Sequence, residues 1–276
     1  MDWTQVTGWD DAYDNRGNTP GWEDIPPRWA RDAAAYRETL TAAGRARLDI
    51  PYGDAEREKL DLFLPDGAPA GLVVFIHGGY WRSFHRTDWS HYAAGAVDRG
   101  WAVAMPSYTL APDARIAEIT RQMSTALNRV AREIAGPIRL MGHSAGGHLA
   151  ARMICTDTRV APEVLDRVEH VMPISCLADL RPLLELAANA EFFRMDEMEA
   201  ATESPALHTP VGRMRVTVWV GGDERPEFIR QSELLANVWT GFGLATRFVN
   251  DPGHNHFTVI DALAEAESAI TAALFD

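Results

Sequence analysis

Residues 140–149 read LMGHSAGGHL, and this stretch decides how the rest of the chain is read. Its core, Gly142-His143-Ser144-Ala145-Gly146, is a Gly-x-Ser-x-Gly pattern. The apolar run PIRLMGH precedes it, and a helix-compatible run to about Thr156 follows. In that setting the serine sits on a sharp strand-to-helix turn, with its hydroxyl pushed out of the backbone. Small residues at 142 and 146 let neighbouring chain pass close to the turn. The helix N-terminus beneath it favours developing negative charge. Ser144 is therefore the candidate nucleophile; the structural alternative is a glycine-rich packing turn.

Outward from this point, apolar runs and helical patterns alternate. GLVVFIH (71–77), WAVAMPSY (101–108), HVMPIS and MRVTVWV read as strands buried on both faces. RARLDIPYG and EKLDLFLP alternate apolar and polar residues and read as an antiparallel pair. ATRFVN reads as the last strand. Helices are predicted over 87–100, 113–135, EFIRQSELLANVWTGFG and, at the C-terminus, HFTVIDALAEAESAITAAL. Such alternation predicts an α/β fold, a mostly parallel central sheet with helices on both faces. Residues 177–210 lack a strand pattern and are expected to form a small helical cap. Residues 1–44 hold Trp3, Trp9, Trp22 and Trp29 among helix-breaking Gly and Pro, and 45–276 form the main domain. The tryptophans predict an arm packed over that domain, a lid over a site, or both.

A serine hydroxyl needs a base, and the base needs an orienting carboxylate. In this strand-turn-helix setting they follow in the order Ser, acid, His. VTVWVGGDERPEF places Asp223 directly after a strand and two glycines, with Glu224 as the nearby alternative. FVNDPGHNHFTVI offers His254 and His256; His256 directly precedes Phe257 and is preferred. The stretch LVVFIHGGYWRSFH (72–85) completes the set. Its two glycines expose bare backbone, as an oxyanion site requires. Amides of Gly78, Gly79 and Ala145 are the expected donors, with His77 bonded within the loop. Tyr80 and Trp81 are expected either to wall an aryl-binding site or to pack the loop.

Composition narrows the partners. Lys+Arg total 26 against 39 Asp+Glu, a formal charge of −13. Phosphate backbones and anionic membranes call for a basic face, so neither is an expected partner. The nine histidines show no His-Glu-x-x-His or other tight ligand spacing, so no metal or other cofactor is expected. Two cysteines, Cys155 and Cys176, suit a reducing compartment better than a disulfide framework. The first residues carry no basic-then-apolar leader, and no window is apolar enough to span a bilayer. The expected setting is cytoplasmic, with a small-molecule substrate.

Taken together, HGGYW, GHSAGGHLAA and SYTLAP (107–112) resemble the arylformamidases, or kynurenine formamidases, of the α/β-hydrolase superfamily, with the hormone-sensitive-lipase-like esterases as broader relatives. The likeness runs from about Tyr52 onward. PYGDAEREKLDLFLP is similar to the family's opening hairpin and SPALHTP to its post-cap segment. GGDERPEFIRQS resembles its acid loop, supporting Asp223, and HNHFTVI its histidine loop, supporting His256. The resemblance implies an α/β-hydrolase fold, a Ser144-Asp223-His256 triad and hydrolysis of N-formyl-L-kynurenine to formate and kynurenine. The superfamily's habit implies a homodimer. Carboxylesterase or other amidase or carbamate hydrolase activity is the alternative. A catalytically silent binding protein is a third reading, disfavoured because all three candidate residues are present.

Overall fold

The computed structural model describes residues 6–276, so Trp3 lies outside the described residues. Among them, β1 (Ala46–Pro51), β2 (Lys59–Phe63), β3 (Leu72–Ile76), β4 (Ala102–Pro106), β5 (Ile138–His143), β6 (Val168–Ile174), β7 (Arg215–Gly221) and β8 (Ala245–Asp251) form one sheet. Its strand order is β1-β2-β4-β3-β5-β6-β7-β8. The β1–β2 pair is antiparallel, as the hairpin pattern predicted; β2–β4 is antiparallel too, and the remaining pairs are parallel. This is the α/β-hydrolase arrangement.

The helices among the described residues are α1 (Trp9–Tyr13), α2 (Ile25–Ala42), α3 (Ala94–Asp98), α4 (Ile116–Val130), α5 (Ala145–Arg152), α6 (Pro162–Leu165), α7 (Glu197–Thr202), α8 (Pro226–Thr240) and α9 (Ala269–Phe275).

The central strands are apolar throughout because both their faces are covered. Successive side chains of a strand point to opposite faces. Leu72, Val74 and Ile76 of β3 enter one core, while Val73 and Phe75 enter the other. β4 divides the same way, with Ala102 and Ala104 opposite Val103 and Met105. On the first face, α4 buries Ile116, Ile119, Met123, Leu127 and Val130 at helical spacing. α5 is buried along its whole length.

Three helix expectations are corrected. The 87–100 helix is two 3-10 turns, Arg86–Asp88 and Ser90–Ala93, followed by the short α3. The Asp88 carboxylate accepts the His85 amide at 2.8 Å and tightens the first turn. The C-terminal helix is broken: turns and a 3-10 segment (Asp261–Ala264) precede α9. Asn255 Oδ1 accepts the amides of Phe257 and Thr258, the contacts of a helix N-cap, but only turns follow it before Asp261. The 113–135 helix contracts to α4. Residues 177–210 contain a 3-10 segment (Arg181–Glu185), a π turn (Asn189–Phe193) and α7, without a named strand.

The arm is built into the main body. Trp29 on α2 has no exposed surface and lies 4.6 Å, ring to ring, from Trp89. Tyr13 packs on Phe228 of α8, and its hydroxyl donates to Glu227 at 2.7 Å.

Candidate active site

Ser144 joins β5 to α5 with φ 56° and ψ −119°, in the sterically costly positive-φ region. Its amide donates to Ile174 O at 2.8 Å, which ties the turn to β6. The flanking glycines are required by close approach. A Cβ at Gly146 would stand 1.9 Å from Ile76 O, and one at Gly142 would stand 2.2 Å from Gly146 O.

His256 follows β8 and is 5% exposed. Its backbone carbonyl accepts from His143 Nε2 at 2.7 Å. His143 is thereby a donor at Nε2, and burial first, with the neighbouring His256 second, holds its pKa well below the ordinary value. A neutral His143 therefore anchors the loop that presents His256. This role was not foreseen; the only sequence signal is the residue's place beside Ser144.

The carboxylate that meets His256 is that of Glu224. His256 Nδ1 and Glu224 Oε2 are 2.6 Å apart. Glu224 Oε1 accepts the Gly221 amide at 2.8 Å and the Ser175 hydroxyl. The expectation of Asp223 is corrected: Asp223 is exposed, and its amide donates to His254 O at 3.0 Å. The turn after β7 sends residue 223 outward and residue 224 back under the sheet edge. The longer glutamate side chain reaches the imidazole there, and the missing Cβ of Gly221 leaves room for it, since a Cβ would lie 3.1 Å from Glu224 Oε1. His254 is not paired with this carboxylate.

The loop after β3 is held from behind. His77 is buried, its Nδ1 is 2.8 Å from Gly78 O, and its ring stacks on Tyr108 at 4.4 Å. Burial lowers its pKa to about 3, so it is neutral and Nδ1–H donates to that carbonyl. Gly79 (φ 111°), Tyr80 (φ 53°) and Trp81 (φ 54°) are all left-handed. The amides of Gly78, Gly79 and Ala145 make no backbone hydrogen bond in the described loops. A Cβ at Gly78 would meet His143 O at 2.8 Å and Ser144 Cβ at 3.2 Å, so this loop lies against the nucleophile turn.

Gly79, Tyr80, Ser144 and His256 line a cleft with a cavity volume of about 180 Å³. Tyr80 stacks on Phe193 at 5.8 Å, and its hydroxyl donates to Tyr13 O at 3.0 Å. Trp81 does not line the cleft. It is fully buried against His148 and Phe193, so the expectation of it as a wall is corrected. Consecutive left-handed residues turn the two rings to different sides. The aromatic wall is instead Trp22, Trp29, Phe84, Trp89 and Phe257, and Trp22 sits 4.2 Å from Phe257. The arm and the 177–210 segment thus both border the cleft, the latter through Leu186, Ala188 and Phe193.

Residues 60–231 match the BD-FAE family. This chain belongs to the BD-FAE family. Within it the chain falls in the kynurenine formamidase branch, as the motifs implied. It is 31% identical to a kynurenine formamidase of Danio rerio over 85% of this chain and 82% of that one. It is 30% identical to that of Salmo salar over 84% and 83%. A solved structure from Silicibacter sp. TM1040, provisionally called a thioesterase, superposes with a TM-score of 0.92 at 48% identity, covering 97% of this chain and 98% of that one. The kynurenine formamidase relatives make the chain a hydrolase. No described helix is long and apolar enough to cross a membrane.

Proposed function

We propose that the protein is a serine hydrolase of aryl formamides and cleaves N-formyl-L-kynurenine to L-kynurenine and formate. The observation that carries this substrate is the likeness to the Danio rerio kynurenine formamidase across most of both chains. The chemistry is supported by Ser144 and His256 opening into one cleft and by the 2.6 Å contact of His256 with Glu224.

In this mechanism the Ser144 hydroxyl attacks the formyl carbonyl and His256 takes its proton at Nε2. Glu224 fixes the Nδ1–H tautomer and stabilises the imidazolium. The oxyanion meets the amides of Gly79 and Ala145, with Gly78 alongside. Each such donor lowers the barrier by about 3 kcal/mol. Collapse breaks the C–N bond, and His256 returns the proton to the departing arylamine. Water then attacks the formyl-serine ester by the same route, releasing formate. Tyr80 with Trp22 and Phe257 flanks the aryl ring. The arm, residues 1–44, and the cap, about 177–210, shape the pocket, and the reaction belongs to the cytoplasm.

A second reading, hydrolysis of a thioester or ester by the same residues, is favoured by the Silicibacter likeness. The test is kcat/KM for N-formyl-L-kynurenine beside p-nitrophenyl acetate and an acetyl thioester, for wild type and Ser144→Ala. A value above about 10⁴ M⁻¹s⁻¹ for the formyl substrate, lost in the variant, establishes the first reading. Turnover of the ester or thioester alone replaces it with the second.

A further inference from the structure

The rim of the cleft carries two guanidinium groups that the acyl-transfer steps do not use. Arg16, in the loop after α1, and Arg82, in the loop after β3, both line it. Arg16 sits 5.0 Å over the ring of Trp22, and Arg82 sits 4.0 Å over the ring of Phe192. Neither joins an ion pair among the described residues. Nearby arginines do: Arg225 pairs with Asp11, Arg230 with Glu227 and Arg181 with Asp179.

The two cations sense each other. Burial, and then the charge of Arg82, lower the pKa of Arg16, which Asp14 offsets in part. Holding two like charges together is unfavourable unless an anion joins them. Beside Arg16, Asn15 is 6% exposed and lines the same cleft. Its Nδ2 has no hydrogen-bond partner, although a buried donor of this kind normally has one. Two stacked guanidiniums and the unpartnered Asn15 amide therefore line one cleft, together with the carboxylates of Asp10 and Asp14 and the aromatic wall.

We propose that Arg16, Arg82 and the Asn15 amide form a subsite for a carboxylate on the leaving-group side of the substrate. The enzyme would thus select acylated aromatic amino acids over neutral aryl amides. The assignment rests on the formamidase reading above, which supplies the aryl leaving group. Planar guanidinium forks suit a carboxylate geometrically, and stacking on rings holds them in place.

The test compares N-formyl-L-kynurenine with its carboxamide in kcat/KM, for wild type, Arg16→Gln, Arg82→Gln and the corresponding Lys variants. Wild type should prefer the acid by about tenfold or more, through KM, as loss of a charge-assisted pair requires. Each Gln variant should lose most of that preference, and Lys should restore part of it. In parallel, calorimetry measures the Kd of L-kynurenine and of its carboxamide without any turnover. Equal treatment of acid and carboxamide by wild type, or a preference that survives both Gln substitutions, overturns the subsite. If neither formyl compound is hydrolysed the formamidase reading fails by itself, and the calorimetric pair still decides the subsite.

Discussion

Glu224 and His256, 32 positions apart in the chain, meet at 2.6 Å beneath the cleft, while Asp223 beside them points to solvent. Replacing Glu224 by Gln keeps the shape but favours the wrong imidazole tautomer. The expected loss in kcat is about 10³–10⁴-fold. Asp223→Asn should change kcat less than about threefold, within what exposed substitutions do. Steady-state kinetics on both variants checks this, and the reverse ranking would return the acid to position 223.

Trp22 of the arm joins the aromatic wall, tilted against Phe257 and under Arg16. Trp22→Ala should raise KM for an aryl substrate by about tenfold, the size of one aromatic contact with its burial. The effect on kcat should be smaller, since Trp22 touches none of the reacting groups. A fall confined to kcat would place the arm's role elsewhere.

His77, His143 and His148 are fully enclosed. Burial lowers the pKa of His77 and of His148 to about 3 and that of His143 well below its usual value. In the unfolded chain these groups titrate near 6.5, so below that pH the unfolded state binds more protons. Their shared contribution to stability is thus complete above about pH 6.5 and falls as pH drops toward 3, by on the order of 1.4 kcal/mol per pH unit for each. Urea midpoints measured from pH 7 to pH 4 should show the decline. His148→Gln should make it shallower. A flat profile would mean these rings are not buried neutral.

Cys155 and Cys176 are free and buried, and burial pushes each thiol up to about 12. Neither should react with Ellman's reagent in the native enzyme at pH 8, because the thiolate is the reactive form. Both should react after unfolding in guanidinium. Rapid native labelling of either would contradict the packing around α5 and β6.

The sequence by itself determined what rests on periodicity and on short-range sterics. Buried strands announced themselves as unbroken apolar runs, and the first hairpin as an alternating one. The turn at Ser144 was legible because glycines at 142 and 146 are the only residues that let α5 pass Ile76 so closely. Tertiary structure decided what depends on where distant loops converge. Whether residue 223 or 224 faces His256 turns on one peptide's direction after β7, and both carboxylates are compatible with the local pattern. Tyr80 and Trp81 are adjacent aromatics, and only the left-handed backbone of their loop sends one to the cleft and the other into the core. The C-terminal helical pattern gives only turns and a 3-10 segment before α9, although Asn255 offers the contacts of a helix cap at its start. The polar rim formed by Asn15, Arg16 and Arg82 joins segments more than sixty residues apart, a distance over which no local pattern carries information.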